Sequence, residues 1–383
     1  MLYISEVLKI LDGALRHSTD QAARYAGLLA AKLEADGQPD QARLIRDRLA
    51  KIPRPAIGAQ AMGQSLPFDQ ETKSALVDEE HPQDVRGIFP ASVEARFDEF
   101  LESVKRFDEL HAAGIALPPR LLMYGPPGCG KTLAARCIAS RLALPLLTVR
   151  CDTLVSSLLG QTGRNLRLVF DHAAERPCVL FLDEFDALGK ARSHASEVGE
   201  LQRVVIALLQ NLDALSPETI VVAATNHDDL LDPAVWRRFG FVVAMGLPES
   251  DQRREMWEGY LGEYLTESGD LEALVSMSAG LSGSAIRTTA HDILRDAILR
   301  RTSTVALPRA LLRLARVKWQ FDGDAPVTVE GEIRALRTWA PRVFTWKAIE
   351  ATFGVSARQV QNILGKQDDG SKQASSSRRT VKN

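Results

Sequence analysis

The chain has 383 residues, 45% of them hydrophobic and 25% charged, with a formal net charge of −2 at pH 7. That length calls for two to three domains, and the composition is ordinary for a globular protein. A charge so near zero excludes a global pull toward nucleic acid or membrane, so any basic surface must be local. The four cysteines (Cys129, Cys137, Cys151, Cys178) show no metal-ligand spacing and read as reduced thiols of a cytoplasmic protein. The opening, Met1 to Val7, is amphipathic and acidic rather than signal-like. No apolar run is long enough to span a bilayer, so no membrane contact is expected.

Residues 1–52 are expected to form an N-terminal helical domain of three short helices. Ile4, Leu8, Leu11 and Leu15 fall at helical spacing, as do Ala22, Ala26, Leu29 and Leu33, then Ala42, Ile45, Leu49 and Ile52. Ser18, Thr19 and Asp20 suit the cap of the second helix; Gly37 ends it and Pro39 opens the third. Arg43, Arg46, Arg48 and Lys51 read as a solvated face. Residues 53–84 are expected to be a linker, rich at first in Pro, Gly, Ala and Gln. Phe97, Leu101, Val104 and Leu110 suggest a helix ended by Gly114.

Strand-like and helix-like segments then alternate, with strands expected at 121–124, 145–149, 179–183, 219–224 and 241–245. That alternation predicts an α/β fold with a parallel sheet covered on both faces. After the first strand comes Gly125-Pro126-Pro127-Gly128-Cys129-Gly130-Lys131-Thr132, with Leu133 next in the helix. It fits the phosphate-loop pattern G-x-x-x-x-G-K-[ST] between strand and helix. Glycines let backbone N–H groups curl toward phosphate oxygens, and the helix N-terminus adds a positive dipole end. Lys131 then reaches the β/γ-phosphates of ATP, and the Thr132 hydroxyl holds Mg²⁺.

Cys178 to Asp186 is an apolar run ending in acids, the pattern of a buried parallel strand with functional residues at its carboxyl end. Asp183 there would hold Mg²⁺ through water, and Glu184 would orient the attacking water. Ile220 to Asn226 is a second such strand, ending at Asn226, which suits a place beside the γ-phosphate. Arg237 and Arg238 follow a short helix, and residues 249–300 read as helices of a lid.

Residues about 85–300 resemble the AAA+ ATPases, and more narrowly their classical AAA branch. The match rests on the phosphate loop, on Leu180 to Asp186, on Val222 to Asn226, on Leu231-Asp232-Pro233-Ala234, on Leu247-Pro248 and on Leu281-Ser282-Gly283. The resemblance implies a P-loop nucleotide-binding domain at 85–247, a helical lid at 248–302, ATP and Mg²⁺ as cofactors, and a homo-oligomeric ring, usually a hexamer. It implies Walker A roles for Lys131 and Thr132, Walker B roles for Asp183 and Glu184, and a sensor-1 role for Asn226. Arg237 and Arg238 fall in the region that supplies arginine fingers to the neighbouring subunit. Arg287 lies near a sensor-2 arginine that classical members usually lack. Two features depart from the pattern. Leu158, with Leu159 after it, stands where an aromatic usually grips a polypeptide client in the pore, and the usual R-P-G-R-F run is compressed to Arg237-Arg238-Phe239.

Residues 303–366 end in a stretch, Phe344 to Leu364, that resembles a helix-turn-helix. Ile349 and Phe353 line one helix, Gly354 sits at the turn, Ser356 caps the next helix, and Val360 and Ile363 face inward. Arg358, Gln359, Gln361 and Asn362 are expected to face outward, residue types that read base edges, so DNA is a candidate partner of 343–366. Glu350 departs from the small residue common there. Residues 367–383 read as a polar basic tail, expected to be disordered. The leading functional expectation is an ATPase that remodels a protein client; the alternative is a DNA-associated ATPase anchored by the C-terminal helices.

Overall fold

In a computed structural model of the chain, the described residues are 26, 29–30, 33, 38, 41–46, 66–69, 74–115, 117–150, 162–188, 198–227, 229, 231–265 and 268–365. The pore-position residues Leu158 and Leu159, most of the expected N-terminal helices and the tail lie outside them. Of the N-terminal region, residues 41–46 are helical, and Ala30, Leu33 and Ala42 are buried with Leu29 and Ile45 against them.

The fold is mixed α/β around a six-stranded, mainly parallel sheet of order β1-β3-β4-β5-β2-β6. Its strands are β1 (Val77–Glu80), β2 (Arg120–Tyr124), β3 (Leu146–Arg150), β4 (Val179–Asp183), β5 (Ile220–Thr225) and β6 (Phe241–Ala244). Strand β4 pairs in parallel with β3 and β5, in the register Leu147 to Leu180 and Leu180 to Val221. All six residues of β5 are buried, as both faces of a parallel sheet require.

By contact the chain gathers into two compact units. The first comprises residues 1–85, 100–122 and 135–242. It holds the end of α1 (Ala91–Lys105), then α2 (Phe107–Ala112), most of α3 (Lys131–Leu142), α4 (Thr162–Ala174), α5 (Val198–Ala214) and α6 (Pro233–Trp236). Its core sets Leu147, Leu180 and Val221 of the sheet against Leu166, Phe170, Leu208 and Leu212 of the helices. Helix α4 shows why: Leu166, Val169, Phe170 and Ala173 recur at three- and four-residue spacing and are all buried.

The strand β1 falls inside the stretch expected to be a linker. It pairs antiparallel with β3, Val77 opposite Val149, so the domain begins before residue 85. A helix was expected through Leu110; the chain instead breaks at Arg106 into α1 and α2, and Gly114 at φ 79 follows.

The second unit comprises residues 86–99, 123–134 and 243–383. Its helices are α7 (Ser250–Leu261), α8 (Ser268–Met277), α9 (Gly283–Leu299), α10 (Leu307–Asp322), α11 (Val329–Trp339), α12 (Trp346–Phe353) and α13 (residues 357–365). The lid and the C-terminal helices were expected as separate modules, yet they share one core. Trp257, Leu274, Ile286 and Ile293 of the lid join Leu311, Leu314, Ile333, Leu336, Phe344, Ile349, Val360 and Ile363. The fully buried Trp257 donates its indole N–H to Ser278 Oγ at 2.9 Å, which removes the penalty of burying that donor. Between α9 and α10, Arg313 bonds Asp292 and Asp296. Arg309 of α10 donates to the Ala351 carbonyl of α12 at 3.0 Å.

Phe344 tests the shared core. Phe344→Ala should cost about 3–5 kcal/mol, the usual range for removing a buried ring. Calorimetry should show the lid and C-terminal helices melting together at a lower temperature. A separate early transition confined to residues 329–365 would contradict a common core.

Candidate active site

The phosphate loop lies in the second unit, between the end of β2 and the start of α3. Three of its glycines take left-handed backbone angles: Gly125 at φ 142, Gly128 at φ 77 and Gly130 at φ 90. A Cβ on Gly125 would stand 2.1 Å from the Met245 carbonyl oxygen, and one on Gly128 would stand 2.7 Å from Ser282 Oγ. Both positions therefore exclude any side chain. The loop is pinned at two points: Met245 N–H donates to Tyr124 O at 2.7 Å, and Ser284 N–H donates to Gly128 O at 3.1 Å.

Lys131 is buried and turns its ammonium into the loop, donating to Gly125 O at 2.6 Å and Pro126 O at 2.9 Å. The loop thus concentrates a cation, a helix N-terminus and glycine-rich backbone in one place, a cradle for phosphate. Thr132 and Leu133 are exposed at the head of the helix, and Pro126, Pro127 and Gly128 are exposed at the loop tip.

Beside the loop is a mostly apolar cleft lined by Ile88, Phe89, Cys129, Met245, Pro248 and Met256, among others. Phe89 is held edge-on against Phe97 with ring centroids 5.5 Å apart. An apolar, aromatic slot next to a phosphate cradle suits a planar base. Sequence reasoning named Cys129 and Pro248 but missed Ile88, Phe89, Met245 and Met256, because these come together only in the fold. Burial in the cleft pushes the Cys129 thiol up, with Lys131 pulling partly the other way.

The catalytic candidates of the first unit sit at the ends of β4 and β5. Asp183 is half-buried and its Oδ1 accepts from Glu184 N–H at 2.9 Å. Glu184 is exposed and holds φ 50, a conformation uncommon outside glycine and a form of strain that clusters at functional sites. Asp186 is only 2% exposed and accepts from Thr225 Oγ1 at 3.3 Å and from Asn226 N–H at 3.2 Å. It ties the acidic turn to the end of β5 and so fixes where Asn226 begins. Asp186 was visible in the acidic run but drew no role from sequence.

The two arginines after α6 differ. Arg238 forms a fork with Asp213 (Nε to Oδ1 at 3.0 Å, Nη2 to Oδ2 at 2.9 Å) and donates to Ala234 O at 2.8 Å. The Asp213 bond and charge raise its pKa further above an already high value. Arg237 is exposed, with no ion-pair partner among the described residues. Arg287 is exposed on α9, three residues after Ser284, and so shares the helix face that meets Gly128.

Among the described residues, no three His, Cys, Asp or Glu side chains gather into a metal site. Mg²⁺ carried on nucleotide phosphates needs only one or two protein oxygens, and the Thr132 hydroxyl and the Asp183 carboxylate each offer an oxygen of that hard kind. Among the described residues, no helix is long and apolar enough to cross a membrane.

Residues 121–247 match the family described as "ATPase family associated with various cellular activities (AAA)". The chain is similar to an uncharacterized AAA family ATPase of Sinorhizobium fredii, 39% identical over 212 residues, 55% of this chain and 64% of that protein. It is 34% identical over 212 residues to the proteasome-activating nucleotidase of Pyrococcus horikoshii, 54% of this chain and 52% of the relative. It is 32% identical over 220 residues to the ATP-dependent zinc metalloprotease FtsH of Rhodothermus marinus, 55% of this chain and 31% of the relative. The chain spans less than two thirds of the length of each of these relatives.

Thiol chemistry checks the loop geometry. With its pKa raised, Cys129 holds less thiolate than a free thiol near neutral pH, so its alkylation should be slow and should accelerate as pH rises. Cys178, buried and pushed up to about 12, should not react while the protein is folded. Peptide-resolved alkylation with and without ATP should find Cys129 protected by the nucleotide. Equal labelling in both conditions would place ATP elsewhere.

Proposed function

We propose that this chain, whose residues 121–247 match the AAA family of ATPases, hydrolyses ATP in a homo-oligomeric ring, usually a hexamer in this family, and uses the cycle to remodel a protein client. The observation that carries the ATP reading is Lys131 buried in a loop whose Gly125 stands against the Met245 backbone and has no room for a side chain. The protein-client reading is supported by the printed names of relatives, including the proteasome-activating nucleotidase. Similarity to FtsH covers 31% of that protein, so its protease activity is not carried over.

In this reading, loop N–H groups hold the phosphates and Lys131 exchanges the Gly125 and Pro126 carbonyls for phosphate oxygens. Thr132 and, through water, Asp183 would hold Mg²⁺, which when bound would supply positive charge against the phosphates. Glu184 orients the attacking water, Asn226 fixes its position, and Asp186 fixes Asn226. The base stacks in the cleft beside Phe89.

Arg237 is the finger that reaches a neighbouring subunit's γ-phosphate, and Arg238 is the brace. The Asp213 fork holds Arg238 to its own subunit and leaves Arg237 directed outward. Arg287 contacts the nucleotide from the lid face. Leu158 and Leu159 are proposed to grip the client, and the cytoplasm is the proposed location.

Lys131→Ala should abolish ATP binding, and Glu184→Gln should bind ATP without turnover. Turnover by Glu184→Gln at the wild-type rate would remove Glu184 from its role. Arg237→Ala should lower kcat by roughly 10³-fold or more, the effect of losing a finger, while ATP binding persists. Rings mixed from Arg237→Ala and Glu184→Gln subunits should regain some turnover. Wild-type kcat in Arg237→Ala, with loss in Arg238→Ala, would reverse the assignment.

A further inference from the structure

The chain's charge is unevenly distributed. Residues 329–383 contain ten Lys and Arg against five Asp and Glu, a net of +5, so residues 1–328 carry −7. Within the described part of that segment, α12 is joined to α13 by three residues. Gly354 takes φ 69 and its N–H donates to Glu350 O, which ends α12. Ser356 then starts α13: its N–H and hydroxyl donate to Gln359 Oε1 at 2.8 and 2.9 Å, and Gln359 N–H returns to Ser356 Oγ. This reciprocal cap removes Gln359 from the outward-reading set expected from sequence.

The inner faces of both helices are committed to the core through Ile349, Val360 and Ile363. Arg334 of α11 also caps α13 by donating to Ile363 O at 3.1 Å, and Arg337 donates to Phe344 O at 2.9 Å. These two cations hold the helices in place. Three others do not: Arg342, Lys347 and Arg358 are exposed and have no ion-pair partner among the described residues. On α13, Arg358, Gln361 and Asn362 fall at i, i+3 and i+4, so they share one exposed face.

The geometry points to duplex DNA as the ligand of this face, with α13 in the major groove. Arg pairs bidentately with guanine, and Gln and Asn pair bidentately with adenine, so the three side chains are the types that distinguish bases. Arg342 and Lys347 meet phosphates. A protein-docking face would centre on aromatic side chains and be poor in charge; Trp346 of α12 is 43% exposed beside Lys347, but the outward residues of α13 from 357 to 362, which carry the recognition, include no large apolar side chain. A two-helix unit with a short Gly-containing turn and a packed supporting helix is a form that carries such recognition helices. This inference does not depend on ATP hydrolysis, because the face lies on α12 and α13.

The test uses the full chain and a labelled mixed-sequence duplex at about 50 mM salt, where phosphate contacts are strong. Anisotropy should report binding that weakens steeply with added salt. Arg358→Glu should weaken it by roughly tenfold or more, the scale of one good base contact. A random duplex library should yield a preferred sequence with wild-type protein, and the Gln361→Ala/Asn362→Ala variant should lose that preference while still binding mixed sequence. All three side chains are exposed, so melting temperature and ATP turnover should not change. No binding at low salt, binding indifferent to Arg358→Glu, or a preference for single-stranded RNA would each overturn the inference.

Discussion

The nucleotide cradle depends on a close approach between two stretches of backbone. The Met245 carbonyl occupies the space where a Cβ on residue 125 would stand, and the Met245 N–H bonds the Tyr124 carbonyl one residue earlier. Only glycine meets both demands, a φ of 142 and no side chain. With the loop turned at that point, the Gly125 and Pro126 carbonyls hold the Lys131 ammonium inside it. A buried cation without oxygen partners would be costly, so the loop carries its own stand-in for phosphate. Ser282 and Ser284 then close the loop from α9, where Gly128 must also lack a side chain.

From that contact a continuous packed path runs through the second unit. The start of α9 bonds the loop, and its later turns are tied to α10 by Arg313 with Asp292 and Asp296. Helix α10 reaches α12 through Arg309 and the Ala351 carbonyl. The same core encloses Ile286, Leu311, Phe344 and Val360. The C-terminal helices are therefore an extension of the lid. Whatever binds their exposed face is linked, by shared packing, to the helix that touches the phosphate loop.

Much of this was legible in the residues. The glycine–lysine loop, the acidic end of β4 and the Asn end of β5 stand at their strand ends because a parallel sheet puts functional groups there. The helical spacing of Ile349, Val360 and Ile363 gave their inward direction, and all three are buried. Other features were hidden for physical reasons. Strand β1 reads Val77-Asp78-Glu79-Glu80, too acidic to announce a strand, and it holds as an edge through backbone pairing and the Glu79–Arg176 ion pair. The single core of lid and C-terminal helices could not be read, since periodicity shows that a face is apolar and not what covers it. That Arg238 is tied down while Arg237 is exposed depends on Asp213, near the end of α5, and no spacing rule relates them. Gln359 is exposed as its spacing implies, but its side chain is engaged in the reciprocal cap that Ser356-x-x-Gln359 spells.

We propose that residues 125–132 hold the phosphates of ATP and that the start of α9 closes over them. Amide hydrogen exchange on the full chain, with and without Mg²⁺–ATP, tests it most directly. Protection should concentrate at 125–134 and at 282–286, because those N–H groups either meet phosphate or are locked against the loop. Protection confined to another segment, or none at saturating ATP, would contradict it.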